Sequence, residues 1–194
     1  MTVEEKHFNT YKEGLDLELL REYCIRHGEV RTFLRGEAFE DVGEPAQWVA
    51  YVERGCFKYM VHNKEEEKDY CTGFAFEGEF VADYPNCLSG EMSEVTIIAG
   101  TSSKVFQIPG KDLCSLLDST SMKDLRQTIS DHLFSQIYSQ YLDNYRMTTR
   151  ERYKLLLLRC PEIVQNVSLK DIASYLKVTP NTISNIRREI TFSL

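Results

Sequence analysis

The feature that most constrains this chain is a change of texture at Pro109. Upstream, runs rich in β-branched and aromatic residues (30–34, 48–52, 56–62, 68–76, 95–99 and 104–108) alternate with turn residues such as Gly36, Gly43, Pro45, Gly55, Gly78, Pro85, Gly90 and Gly100. Short strands at that spacing predict an all-β roll or sandwich. The charged run 63–69 falls between two of them and reads as a solvated hairpin tip. Before the roll, Leu15, Leu19, Leu20, Tyr23 and Cys24 recur at helical spacing, so an amphipathic helix is expected over 15–27, ending near Gly28.

Past Pro109 the pattern is helical. Leu125, Ile129, Leu133, Ile137, Tyr141 and Tyr145 step by four, flanked by Met122, Phe134, Tyr138 and Leu142. An apolar face so broad on one long helix needs two surfaces to cover it. One is the chain's own roll; the other is expected to be the same helix of a second copy, through Leu125, Ile129, Leu133, Ile137 and Tyr141.

With 194 residues, 42% of them hydrophobic, the chain can bury a sizeable core. Its apolar stretches are far shorter than the roughly 20 residues of a membrane span, so no membrane partner is expected. The acidic start, residues 1–6, lacks the basic and apolar regions of a secretory signal, and a cytoplasmic address is expected. Six cysteines (24, 56, 71, 87, 114 and 160) form no C-x-x-C pair and read as free, mostly packed thiols. The net charge of -7 argues against indiscriminate coating of nucleic acid, but it is unevenly spread. Residues 146–194 carry nine basic and four acidic side chains, whereas 1–145 carry 14 and 26. An acidic body with a basic tail suggests that only the C-terminal part meets a polyanion.

That tail holds the chemistry. Thr148-Thr149-Arg150-Glu151 has the form of a capping box, opening a helix that stops before Pro161. Ser168 to Asp171 is a second start of the same kind, leading to Ile172, Ala173, Leu176 and Val178. Thr179 followed by Pro180 is an N-cap with proline at the first helical position. The helix it begins has Ile183, Ile186 and Ile190 on one face. Two short helices with a small Ala173 where they cross are what a helix-turn-helix requires. Thr182, Ser184, Asn185 and Arg188 then project outward, where they can reach base edges or phosphates. Lys177 stands in the turn where glycine is usual, at a cost on the order of 1 kcal/mol for a left-handed backbone.

Taken in order, Arg35-Gly36-Glu37, Val42-Gly43-Glu44, Val52-Glu53-Arg54-Gly55, Phe76-Glu77-Gly78-Glu79-Phe80, the long helix, Ile172 to Leu176 and Thr179 to Ser184 resemble the Crp/Fnr family of bacterial transcription regulators. The resemblance covers roughly residues 12–190. It implies an α+β protein: a double-stranded, jelly-roll-like β-roll sensor (1–120), a dimerisation helix (121–146) and a helix-turn-helix (147–194). The implied activity is dimeric, sequence-specific binding to an imperfect palindrome in double-stranded DNA, with RNA polymerase and a small-molecule effector as further partners. Lys170, Thr179, Asn181, Thr182, Ser184, Asn185, Arg187 and Arg188 are the expected DNA-binding residues.

Two departures matter. Nucleotide-binding members hold the ribose with a glutamate and the phosphate with an arginine. Here Asp83 and Ser93 fall at those positions, and no Lys or Arg occurs between Lys68 and Lys104. A buried phosphate needs a cation or an array of donors, so no response to cyclic AMP or cyclic GMP is expected. Glu79, Asp83, Tyr84, Ser93 and Glu94 remain candidates for an effector pocket of other chemistry. The second departure is the stretch between Arg159 and Ser168, too short for a developed β-hairpin, which predicts a reduced wing. No cofactor, metal site or enzymatic activity is expected: cysteine is absent from the first 23 residues, and the four histidines are scattered. Two alternatives stand beside the leading reading. One is a regulator that has lost DNA affinity and acts by protein contact. The other is a cupin-like metal enzyme, which would need clustered histidines where His62 stands alone.

Overall fold

The structure is a computed structural model that describes residues 8–9, 15–119 and 122–191; the acidic start at 1–6 and His7 lie outside them. Helix α1 (Glu18–His27) precedes eight strands: β1 (Glu29–Phe33), β2 (Ala38–Glu40), β3 (Trp48–Arg54), β4 (Cys56–Asn63), β5 (Lys68–Phe76), β6 (Phe80–Val81), β7 (Thr96–Ala99) and β8 (Ser103–Pro109). A short helix α2 (Asn86–Ser89) interrupts them after β6. The strands form two four-stranded antiparallel sheets, ordered β1-β8-β3-β6 and β2-β7-β4-β5. Between the sheets lies a core of Phe33, Phe39, Val52, Phe57, Val81, Ile97 and Val105. Strands β2 and β6 are too short to stand out in the sequence; Gly55, at φ 96°, makes the tight β3–β4 connection expected of it.

Helix α3 (Gly110–Leu117) leads to α4 (Lys123–Arg146), the long helix. Its stripe divides lengthwise. Leu125, Ile129 and Leu133 pack with Leu113 and Leu117 and with α1 and roll residues such as Leu20 and Val49. Further along, Phe134, Ile137, Tyr138, Tyr141 and Tyr145 are all more than half exposed. The five residues expected to meet a second copy therefore separate into three that cover the chain's own core and two, Ile137 and Tyr141, that remain open.

The C-terminal helices are α5 (Thr149–Arg159), α6 (Ile163–Asn166), α7 (Leu169–Tyr175) and α8 (Pro180–Thr191). The stretch expected to hold a reduced wing forms the single turn α6. These helices do not have a wholly separate core. One apolar cluster joins Tyr153, Leu156, Ile163, Ile172, Ile183 and Ile186 to Cys71, Phe74 and Phe76 of β5, across the boundaries expected from the sequence. Strand β5 is an edge strand, and α7 covers that edge, which would otherwise present unpaired backbone groups. No helix among the described residues is long and apolar enough to cross a membrane.

Candidate nucleic-acid interface

The interface is built by caps and one small crossing. Thr148 Oγ1 accepts the Glu151 N–H at 3.3 Å, and Glu151 Oε2 accepts the Thr148 N–H at 2.8 Å. The backbone and hydroxyl of Thr148 hold the Glu151 carboxyl below its ordinary range. Ser168 Oγ accepts from the Asp171 N–H at 3.1 Å, starting α7, and Thr179 Oγ1 accepts from the Thr182 N–H at 3.2 Å, starting α8. Ile172, Ala173 and Ile183 are fully buried where α7 and α8 meet. The turn between them is closed by the Lys177 N–H to Ser174 O and the Val178 N–H to Ala173 O, both 2.9 Å. Lys177 has φ 57°, the left-handed conformation that glycine would take without strain.

At 100° per residue, Asn181, Ser184, Asn185 and Arg188 share one face of α8, opposite Ile183, Ile186 and Ile190. Asn181, Asn185 and Arg188 are exposed, as are Thr179 at the amino end of α8 and Lys170 in the first turn of α7; Thr182 and Ser184 are half-buried. Arg188 donates to Asn185 Oδ1 at 2.6 Å. Arg187 lies apart from this group. Its Nε donates to the Tyr153 hydroxyl at 2.6 Å and its guanidinium lies 5.7 Å from that ring, so the side chain fixes α8 to α5 instead of projecting outward with its neighbour. Helical phase alone does not reveal Tyr153 beneath one of two adjacent arginines.

The helical pair sits on the roll through α7. Ser174 Oγ accepts the Cys71 N–H at 2.9 Å, Lys58 Nζ meets Asp171 Oδ2 at 3.1 Å, and Tyr175 packs on Phe74. None of these contacts had a signal in the sequence, because each joins residues about 100 positions apart. They leave the polar face of α8 uncovered. A cleft of about 1220 Å³ opens between α4, α5, α7 and the β4–β5 hairpin, bringing Glu67 and Asp69 to the same space as Lys170, Lys177 and Thr179.

Of the effector-pocket candidates, Asp83, Ser93 and Glu94 meet, whereas Tyr84 and Glu79 bond elsewhere. Asp83 Oδ2 accepts from Ser93 Oγ at 2.8 Å, Asn86 Nδ2 at 3.1 Å and the Glu94 N–H at 3.2 Å, so the donors of this cassette already serve a carboxylate. Tyr84 OH meets Ser130 Oγ of α4 at 3.0 Å, while Glu94 is exposed. Glu79 belongs to another neighbourhood: it is 1% exposed and takes the Phe76 N–H at 2.8 Å. Close to Asp83, the buried Glu40 has its carboxyl pushed up to about 7 by burial, and its Oε2 has no hydrogen-bond partner. All six cysteines are free; burial pushes Cys24, Cys71, Cys87 and Cys160 up to about 12, which makes them poor nucleophiles. Among the described residues, no group of three or more His, Cys, Asp or Glu side chains could hold a metal ion.

No protein-family model matches the chain, and no curated protein matches it in sequence. Solved structures do match in fold. A roll of two antiparallel sheets, a long helix and a C-terminal helix-turn-helix define the architecture of Crp/Fnr-type transcription regulators, and this chain has that fold. FixK2 from Bradyrhizobium japonicum superposes with a TM-score of 0.71 at 18% identity, over 86% of this chain and 85% of its own. The c-di-GMP-responsive global regulator CLP of Xanthomonas campestris gives 0.65 at 14% identity, over 92% and 93%. A CRP/FNR-family transcriptional regulator from Thermus thermophilus gives 0.64 at 17%, over 85% and 87%.

Proposed function

We propose that the chain is a dimeric, sequence-specific DNA-binding transcription regulator that uses α8 to read the major groove. The observation that carries this reading is the open face of α8. Asparagine amides at Asn181 and Asn185, the Ser184 hydroxyl and the Arg188 guanidinium lie side by side, backed by the buried Ile183 and Ile186 and the partly buried Ile190, with Thr179 capping the helix. Amides and guanidinium groups pair with base edges and phosphates, and Lys170 and Thr179 flank them as phosphate ligands. Arg187 serves the site by anchoring α8 to Tyr153. In α4, Phe134, Tyr138, Tyr141 and Tyr145 are spaced by four, three and four residues, the seam spacing of a paired helix. Pairing a second copy there would present two α8 helices to half-sites about 34 Å apart on an imperfect palindrome.

We infer further that the roll does not respond to cyclic nucleotides. The ribose and phosphate positions are taken by a carboxylate and the donors that satisfy it, with Glu94 adjoining. Selection of bound duplexes from a random pool tests the main reading: enrichment of a two-fold related sequence supports it, and enrichment of none refutes it. Calorimetry with cyclic AMP and cyclic GMP tests the second, which micromolar binding of either would overturn.

A further inference from the structure

Where the roll, α4 and the helix-turn-helix meet, two residues from near the start of the chain are held as a ligand would be. Phe8 is 5% exposed, and its ring makes edge contacts with Phe74, Phe76 and Tyr175 at centroid distances of 5.4, 5.6 and 5.6 Å. Asn9 donates its backbone N–H to Glu79 Oε1 at 3.1 Å, and its Nδ2 to Glu79 Oε2 at 2.7 Å and to Phe74 O at 2.9 Å. Its Oδ1 accepts from Gln136 Nε2 of α4 at 2.9 Å. A carboxylate as buried as Glu79 is costly unless charge-assisted hydrogen bonds satisfy it, and Asn9 supplies them to both oxygens. The niche draws its walls from three bodies: Phe74, Phe76 and Glu79 from the roll, Gln136 from α4 and Tyr175 from α7.

We propose that this niche is a recognition site for an aromatic residue followed by asparagine, filled in cis by Phe8 and Asn9, and that its occupancy latches the helix-turn-helix onto the edge of β5. Removing the pair takes the Phe8 ring from Tyr175, which keeps Phe74, and takes from Glu79 the donors that Asn9 gives to both its oxygens. The Tyr175–Phe74 contact, the Lys58–Asp171 and Cys71–Ser174 ties and the apolar packing of α7 on β5 then hold the helix without the contacts of Phe8 and Asn9. In the latched state the amino end of α8 shares a cleft with Glu67, Asp69 and Asp143 and with Lys68, Arg152, Arg159, Lys170 and Lys177. The latch rests only on the contacts just described.

The Cys71 amide reports the latch directly, because its hydrogen lies on the outer edge of β5 and is taken by Ser174. In the full chain, Phe8→Ala and Asn9→Ala should each speed hydrogen exchange at Cys71 by about tenfold or more while the central amides of β4 keep their protection. A peptide spanning residues 4–12, added in trans to F8A, should restore protection. Unchanged exchange at Cys71 in both variants, or a rise throughout the roll that the peptide does not reverse, overturns the proposal.

Discussion

Arg187 and Arg188 are adjacent in sequence, yet their replacement by alanine should have opposite consequences. Arg187→Ala removes a charged donor 2.6 Å from the hydroxyl of Tyr153, a side chain only 1% exposed. A charged hydrogen bond is lost and a buried hydroxyl is left unpaired, costing about 2 kcal/mol. For a chain of this size that lowers Tm by roughly 4–8 °C. Arg188 is exposed and its contact is the neighbouring Asn185, so Arg188→Ala should change stability by no more than about 0.5 kcal/mol. It removes one phosphate ligand per protomer, two per dimer, which makes the slope of log affinity against log salt shallower by about 1.8. Calorimetric melting gives the first quantity, and fluorescence anisotropy over a salt series, on a duplex enriched by selection, gives the second. R187A should shift the slope by less than half as much as R188A. If R187A leaves Tm unchanged, or if R188A leaves the slope unchanged, the assignment of the two side chains is refuted.

Other outcomes follow from the same geometry. Ile137→Glu places a charge in the open row of α4 and should yield monomers in analytical ultracentrifugation; a stable dimer would exclude this face as the pairing surface. Glu40 carries a carboxyl raised from 4.5 to about 7 by burial, so the folded state binds more protons than the unfolded state in that window, and stability falls as pH rises through it. Glu40→Gln should therefore raise stability by about 2 kcal/mol at pH 8 and leave it nearly unchanged at pH 4.5, read from denaturant titrations at the two pH values. Lys177→Gly should stabilise the turn by about 0.5–1 kcal/mol, because the left-handed strain it relieves exceeds the added entropy of the unfolded glycine; a loss of stability would refute the strain argument.

What could be read from the sequence was local. The caps at Thr148, Ser168 and Thr179, the strained Lys177 turn and the alternation of strands and turns before Pro109 all depend on neighbours within a few residues, and each stands where expected. The segment between Arg159 and Ser168 was too short for a wing, and the turn of α6 fills it. What escaped was long-range pairing. Arg187 has the helical phase of a partly exposed residue, and only the fold brings Tyr153 beneath it. The stripe of α4 looks continuous in one dimension, yet Ile129 ends against the roll while Ile137 does not, because the roll covers only the first half of the helix. Phe8 and Asn9 carry no motif at all; the niche that receives them is assembled from β5, Glu79, α4 and α7, more than 60 residues away.

The central claim is that the exposed face of α8, presented twice, is what meets DNA. Hydroxyl-radical footprinting on a selected duplex, comparing the parent chain with an Asn181→Ala, Asn185→Ala, Arg188→Ala triple variant, tests it most directly. The parent should protect two patches one helical turn apart, and the variant should protect neither while keeping its fold. Equal protection by the variant would contradict the claim.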